Sequence, residues 1–482
     1  MTISYSTYTK QCQYPKALSN QKNDQKEFYS LMHSPAYHSL KKQLIHLLFL
    51  ASPVIATQFS QMAMGVVDTV MSGHASAVDL AAVAVGSSIW IPLILLIGGI
   101  LTAITPTVAH FCGAKQHFRI GHTIRQSLWI GIVLSLLGFI ALFSIHDLFV
   151  FMDVEAPILP IATGYLKAIA WGMPAIVGFF ILRYLNEGMA NILPVMIIGF
   201  LGLLVNIISN YILIFGHFGA PSLGGIGAGW ATTITHWVML LLLFLYLFKS
   251  KKFAPVKFFE FDMMPHADEL KALLKLGIPI GISFFVEGSI FSIIALFLAS
   301  MGVITVASHQ IALSFSSLIF IFPLSLSISL TIQVGHQIGA QQYQQVHDTV
   351  KAGYLISLTV SIIAALLIVN FASDIAALYT NNAEVIELAG SLMIFTALYQ
   401  FSDGIQLCSA GALRGLKDTT IPMFLSIIAY WIIGFPLGYM LALTDMITDP
   451  LGAKGFWIGL LCGLSLSAIF MALRLYSRPE MR

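Results

Sequence analysis

From residue 44 to residue 476 the chain is a succession of long apolar runs parted by short polar segments. A bilayer core about 30 Å thick takes about 20 helical residues, so each run is long enough to cross it. Twelve spans are predicted, over 44–72, 80–108, 122–146, 160–185, 193–215, 223–248, 271–299, 306–334, 350–372, 386–412, 420–442 and 452–476. Composition agrees with this pattern. The 482 residues are 57% hydrophobic and only 10% charged, with mean hydropathy +0.86, whereas soluble domains carry about 25% charged residues. The expected fold class is an all-α polytopic membrane protein.

An even number of spans puts both termini on one side. The segments on that side (1–43, 109–125, 183–194, 249–275, 335–351, 413–419 and 474–482) hold 22 of the 24 Lys and Arg residues, Lys167 and Lys454 being the exceptions. The opposite loops carry acids instead, among them Asp147, Asp153, Glu155, Asp374 and Glu384. By the positive-inside rule both termini are expected in the cytoplasm. The first 43 residues are polar and lack an apolar signal core, so a cytoplasmic tail is expected there and no cleaved leader. Cys12, Cys112, Cys408 and Cys462 have no metal-binding or redox spacing.

An internal repeat organises the spans. "VAHFCGAKQ" at 108–116 returns as "VGHQIGAQQ" at 334–342, and the same offset of 226 carries Pro53 onto Pro279 and Ala81 onto Ala307. Ala156 falls on Ala383 at an offset of 227, and Pro194 on Pro422 at 228. The predicted organisation is a tail (1–43), a six-helix lobe (44–248), a basic linker (249–270), a second six-helix lobe (271–476) and a short tail (477–482). Both lobes enter the membrane in the same sense, so their pseudo-twofold axis runs along the membrane normal. Two such bundles around a cleft suit alternating access. Pro53 and Pro279 are expected to bend the first and seventh spans, and His110 and His336 to cap helix ends at one membrane face.

An ionisable side chain at the bilayer centre costs about 2.5–3.5 kcal/mol on insertion scales. Three acids fall well inside the predicted spans: Asp68, Glu287 and Asp403. No Lys or Arg falls deep in any of them, so each acid is expected to be either protonated or holding a cation. Their surroundings are polar stripes at helical spacing. Tyr399 and Gln406 share the face of Asp403, Ser283 stands one turn before Glu287, and Gln61 lies on the stripe of Asp68. Asn206 and Asn210 point the same way from the fifth span. At the repeat offset Glu287 meets Gln61 and Asp68 meets Ile294, so the acids are not repeat-equivalent, as a purely symmetric packing role would require.

These motifs resemble the multidrug and toxic compound extrusion (MATE) family, in its NorM-like bacterial branch. The resemblance spans residues 41 to 476. It rests on "MGVVDTVMSG", "NIISNYILIFGHFGAPSLGGIGAG", "FFVEG", "ASHQIALSFSSL", "YQFSDGIQ", "AGALRGLKDT" and "PLGAKGFWIGL". It implies a V of two pseudo-symmetric six-helix bundles in the bacterial inner membrane. The implied activity is export of organic cations and drugs in exchange for Na⁺ or H⁺, and so antibiotic resistance. In the second lobe the cation-coupling residues would be Glu287 and Asp403, beside Tyr399 and Gln310. Na⁺ at the two acids is the one metal implied. In the first lobe Asp68, Asn206 and Asn210 would serve, with Gln61, Ser283 and Gln406 as further polar lining. Ser314 departs from the asparagine expected in close relatives. No enzyme activity, cofactor or nucleic-acid partner is implied; the surrounding lipid is, and so is a monomeric state.

Other functions fit less well. No G-x-x-x-x-G-K-[ST] phosphate loop occurs, against an ATP-driven pump. "GAKQHFRIG" is a poor match to the loop after the second span of major-facilitator transporters. The runner-up is a flippase or exporter of lipid-linked or polyisoprenoid precursors within the same wider superfamily. It would need several cavity-facing basic residues for phosphate, and none is expected from these spans. A membrane-embedded enzyme would need histidines gathered near the acids, and a structural scaffold leaves the buried acids unexplained.

Overall fold

The computed structural model describes residues 40–152, 154–257 and 264–481. Most of the expected N-terminal tail with Cys12, the middle of the linker, and Asp153 lie outside the described residues. Among those described, eleven helices are long and apolar enough to cross a membrane, and a bent pair makes the twelfth. In chain order the spans are Leu40–Ala75, Ala77–Gly113, His117–Phe143, the pair Leu159–Ala170 and Met173–Gly188, Leu193–Phe215, Gly225–Lys249, Ala267–Ala299, Val303–Gly339, Tyr343–Ala377, Ala383–Gly415, Thr420–Leu443 and Ala453–Tyr476. They are numbered one to twelve below.

Local sequence explains the irregularities. Span four bends by 49° where Trp171-Gly172 precedes Pro174, whose ring excludes the regular helical bond. At this break the carbonyl of Ala168 accepts from Thr233 Oγ1 at 2.7 Å, which meets one backbone acceptor that the bend releases. Pro53 and Pro279 sit inside continuous helices. One turn on from each, a hydroxyl donates back to the proline carbonyl, Thr57 at 2.8 Å and Ser283 at 2.9 Å. These two contacts are repeat mates. Span eleven widens into a π-helix over Ile428–Gly434, just before Pro436.

Spans two, four, eight and ten run beyond their predicted ends, on the side that bears the termini. They stop at Gly113, Gly188, Gly339 and Gly415. Each glycine is followed two residues later by a left-handed residue: Lys115, Ala190, Gln341 and Lys417, with φ of 58°, 52°, 60° and 59°. The next amides close back onto the helices. Gln116 N–H reaches Phe111 O, Asn191 reaches Asn186, and Gln342 reaches Gln337, each at 2.8 Å, and Asp418 reaches Leu413 at 2.9 Å. This is the six-to-one bond of a Schellman cap, here built four times.

The four ends converge. Span two packs against spans seven and eight, and span one against spans eight and nine. A Cβ at Gly113 would meet the His336 carbonyl, and one at Gly339 would meet the His110 carbonyl. Higher up, a Cβ at Gly99 would sit 2.6 Å from the Cα of Gly281, so spans two and seven cross backbone to backbone. His110 and His336 do cap helix ends, but those of the opposite lobe, as described below. Each lobe has its own apolar core, Leu101, Ile120, Leu166 and Ile181 in the first and Ile294, Leu392, Phe456 and Trp457 in the second. Side chains such as Leu136, Leu137, Leu366 and Leu367 point outward, as lipid-facing positions do.

Candidate functional site

In the first lobe Asp68 is buried and fully engaged. Its Oδ1 accepts from Asn206 Nδ2 at 3.0 Å and Asn210 Nδ2 at 2.6 Å, and its Oδ2 from Thr232 Oγ1 at 2.9 Å. The i, i+4 spacing on span five aims both amides at one carboxylate, while span six supplies the hydroxyl. Asn210 Nδ2 also reaches Asn206 Oδ1 at 3.2 Å. Sequence reasoning grouped the first three residues and missed Thr232. A threonine in "GWATTITHW" carries no periodic signal of its own. None of the four lines the central cavity.

That cavity, about 1020 Å³, lies between the lobes above the converging helix ends. Its upper part reaches Tyr379, in the turn after span nine on the side away from the termini. Glu287, Asp403, Tyr399, Gln310, Ser314 and Gln61 line it, with an aromatic wall that includes Phe180, Phe284, Phe291, Phe320 and Tyr430. Glu287 Oε1 accepts from Gln406 Nε2 at 2.7 Å, and Gln406 Oε1 accepts from Tyr430 OH at 2.6 Å. The π-helical widening of span eleven carries Tyr430. Gln406 therefore stands behind Glu287 rather than on the cavity surface. Ser283 borders a smaller adjoining pocket together with Glu287. Asp403 is 4% exposed, and its Oδ2 is buried with no hydrogen-bond partner.

The expectation of a membrane interior without basic residues is corrected. Arg183, Glu187 and Arg414 all line the cavity. Their exposures are 5%, 3% and 8%. Sequence reasoning put Glu187 and Arg414 in loops and Arg183 in the last predicted turn of span four, because it ended spans four and ten early. The glycines that cap these helices, Gly188 and Gly415, were the available signal. Each nitrogen of Arg183 has an acceptor: Nε donates to Glu187 Oε1 at 2.7 Å, Nη1 to Gln61 Oε1 at 2.9 Å and Nη2 to Gln58 Oε1 at 2.7 Å. Arg414 Nη2 donates to Ser327 Oγ at 2.7 Å, and its guanidinium lies over Phe284, 5.5 Å from the ring centre. At an offset of 227, Glu187 and Arg414 are repeat mates. The two halves thus present opposite charges at equivalent positions on the cavity floor.

A family model for MatE matches two stretches of the chain, residues 53–212 and 279–440. They begin at the repeat-related prolines Pro53 and Pro279, and their ends are offset by 440 − 212 = 228, within the drift read from the sequence. Solved structures of the same fold include the eukaryotic MATE transporter AtDTX14, with TM-score 0.82 at 20% identity over 92% of this chain and 97% of that one. A multidrug resistance MATE transporter in an outward-facing conformation matches at TM-score 0.80 and 21% identity, over 93% and 98%. A transporter of the MOP superfamily from Pyrococcus furiosus, described as having a binding pocket of reverse polarity, matches at 0.81 and 21%, over 93% and 97%. A duplicated all-helical fold around a polar, aromatic cavity, matched by the family model in both halves, makes this multi-pass membrane protein a member of the MATE transporter family.

Proposed function

We propose that the chain is a NorM-like antiporter of a bacterial inner membrane, with both termini in the cytoplasm, exporting organic cations and drugs in exchange for Na⁺ or H⁺. The observation that carries this reading is Asp403, an acid in the cavity wall with a buried, unpartnered oxygen, across from Glu287. Such a group gains most from a bound cation or proton. With the cavity facing outward, the inward gradient loads the acids, neutralises them and releases the organic cation. After reorientation the ion leaves to the cytoplasm, and the restored charge draws in the next substrate. Coupling is then competition for one charge, a reciprocal linkage. Aromatic walls accept many flat cations, which suits broad selectivity. Asp68 with Asn206, Asn210 and Thr232 supplies a third protonatable carboxyl, in the first lobe. The protein works as a monomer in the lipid and needs no cofactor or nucleic acid.

Proteoliposomes loaded with a fluorescent organic cation test this reading under an imposed Na⁺ gradient and then an imposed pH gradient. Gradient-driven efflux with one ion, and its loss in Asp403→Asn, is the expected outcome. Full efflux by Asp403→Asn refutes it. The two arginines favour a second reading, export of phosphate-bearing lipid precursors. The charge of Arg183, however, is already paired with Glu187 at 2.7 Å, so among the described residues Arg414 is the cavity guanidinium without a carboxylate on it. One available guanidinium is a weak basis for a lipid diphosphate.

A further inference from the structure

We propose that the junction between the lobes, on the side of the termini, binds a phosphate group between Arg119 of the first lobe and Lys417 of the second, and that this anion favours closure of that side. The site lies at helix ends and its residues do not line the central cavity, so the ligand is not cargo. The inference uses only the parting of the lobes that alternating access requires. It depends on neither the exported substrate nor the coupling ion.

Phe111 stands in the last turn of span two, and two cations lie over its ring. The Arg119 guanidinium is 5.3 Å from the ring centre and the Lys417 ammonium 5.6 Å. Arg119 comes from the first turn of span three. Lys417 comes from the turn between spans ten and eleven, where its left-handed backbone, φ 59°, fixes its place. Both are accessible to solvent. Among the described residues neither forms an ion pair, and Arg119 reaches only the Gln116 side chain, at 3.4 Å. The acid next in the chain, Asp418, is taken by Arg474 at 2.8 Å and Arg478 at 3.6 Å. Partial burial and repulsion from Arg119 push the Lys417 ammonium down. Packing does not account for this crowding of like charge. The histidine–carbonyl contact between the lobes occurs twice, His110 on Gly415 and His336 on Gly188. Yet at the repeat offsets Phe111, Arg119 and Lys417 fall on Gln337, Gln345 and Ala190. The second junction closes without cations, so those of the first serve something else. A phosphate fits them: a guanidinium takes two of its oxygens through parallel bonds, and an ammonium meets another as a point charge. Basic sites between helix ends on this side of a membrane also lie at headgroup depth. Because the two cations belong to different lobes, they part when that side opens. An anion held by both therefore binds the closed state more tightly, and by linkage shifts the population toward it.

Spin labels on Ala114→Cys and Ala340→Cys, exposed repeat mates at the ends of spans two and eight, read closure by double electron–electron resonance. The full-length protein is used, with its native cysteines replaced by serine. One arm adds inorganic phosphate to protein in phosphatidylcholine nanodiscs. The other uses nanodiscs of phosphatidylcholine and phosphatidylglycerol in equal parts, without phosphate. In at least one arm the ratio of closed to open populations rises about fivefold or more. A rise with phosphate makes the ligand a soluble anion, and a rise with phosphatidylglycerol alone makes it a lipid headgroup. Arg119→Gln and Lys417→Gln each abolish the rise, whereas Lys351→Gln, which removes an exposed charge on span nine, leaves it. No rise in either arm overturns the proposal with no site variant needed. So does a rise that potassium chloride matches at equal ionic strength, which is screening, or one that survives both substitutions. The efflux assay above tests the antiport reading separately, so the two fail independently.

Discussion

His110 Nε2 lies 2.7 Å from the carbonyl oxygen of Gly415, joining the end of span two to the end of span ten in the other lobe. The repeat mates His336 and Gly188 make the same contact at 2.9 Å. A carbonyl can only accept, so each Nε2 carries the hydrogen. Each imidazole thus satisfies a last-turn carbonyl that its own helix leaves orphaned. The pair forms a pseudo-symmetric latch on the side of the termini, and the cavity lies beyond it.

Breaking the latch should loosen that side. In His110→Ala/His336→Ala, a cysteine introduced at Thr105, on the cavity lining, should react faster with a membrane-impermeant maleimide applied from the side of the termini. The labelling rate in a background without native cysteines checks this. An unchanged rate means that the glycine contacts alone hold the closure.

The Asp68 nest should be intolerant of losing any one donor. Thr232→Val removes the hydroxyl on Oδ2 and leaves a buried acceptor unmet, at a cost of about 1–3 kcal/mol. Asn210→Ala, which removes the 2.6 Å donor, should cost at least as much. Thermal unfolding of the detergent-solubilised protein measures both.

Gln406 links Glu287 to Tyr430, so Gln406→Leu and Tyr430→Phe should be non-additive. A double-mutant cycle on organic-cation binding should give a coupling of about 0.5–3 kcal/mol. Strict additivity would mean that Tyr430 acts independently of Glu287.

Spans two and seven approach closely enough at Gly99 that a methyl group there would press on Gly281. Backbone has no rotamer with which to give way, so Gly99→Ala should wedge the lobes apart. Lower thermal stability and reduced transport are expected, and Gly99→Leu should be worse than Gly99→Ala.

Outside the spans, burial beside span two pushes Lys252 down from 10.5 to about 8, while its ammonium donates to Asn191 Oδ1 at 3.0 Å. The folded state releases this proton before the unfolded state does, so between about pH 8 and 10.5 the unfolded chain binds more protons. Stability should therefore rise with pH across that window. Lys252→Met should flatten the rise, as read by unfolding midpoints from pH 7 to pH 10.

Span number, the repeat and the intramembrane acids were all legible in the chain. Each depends on local properties: run length, short motifs at a fixed offset, and charge set against an apolar background. Asp403 and Glu287 stood out because they fall in the middle of long, predominantly apolar runs. Arg183, Glu187 and Arg414 did not, because a charged residue near a helix end looks the same whether the chain stops there or runs one more turn inward.

The sequence by itself determined that this protein is a duplicated twelve-span membrane protein with acids inside it. Hydropathy and periodicity are one-dimensional and survive without knowledge of neighbours. Only the tertiary structure decided what those acids meet. It gave Asp68 three donors from two helices and left Asp403 with an unpartnered oxygen. It also brought Glu187 and Arg414 to the floor of one cavity, because which side chains face each other across two lobes depends on helix packing between residues more than two hundred positions apart.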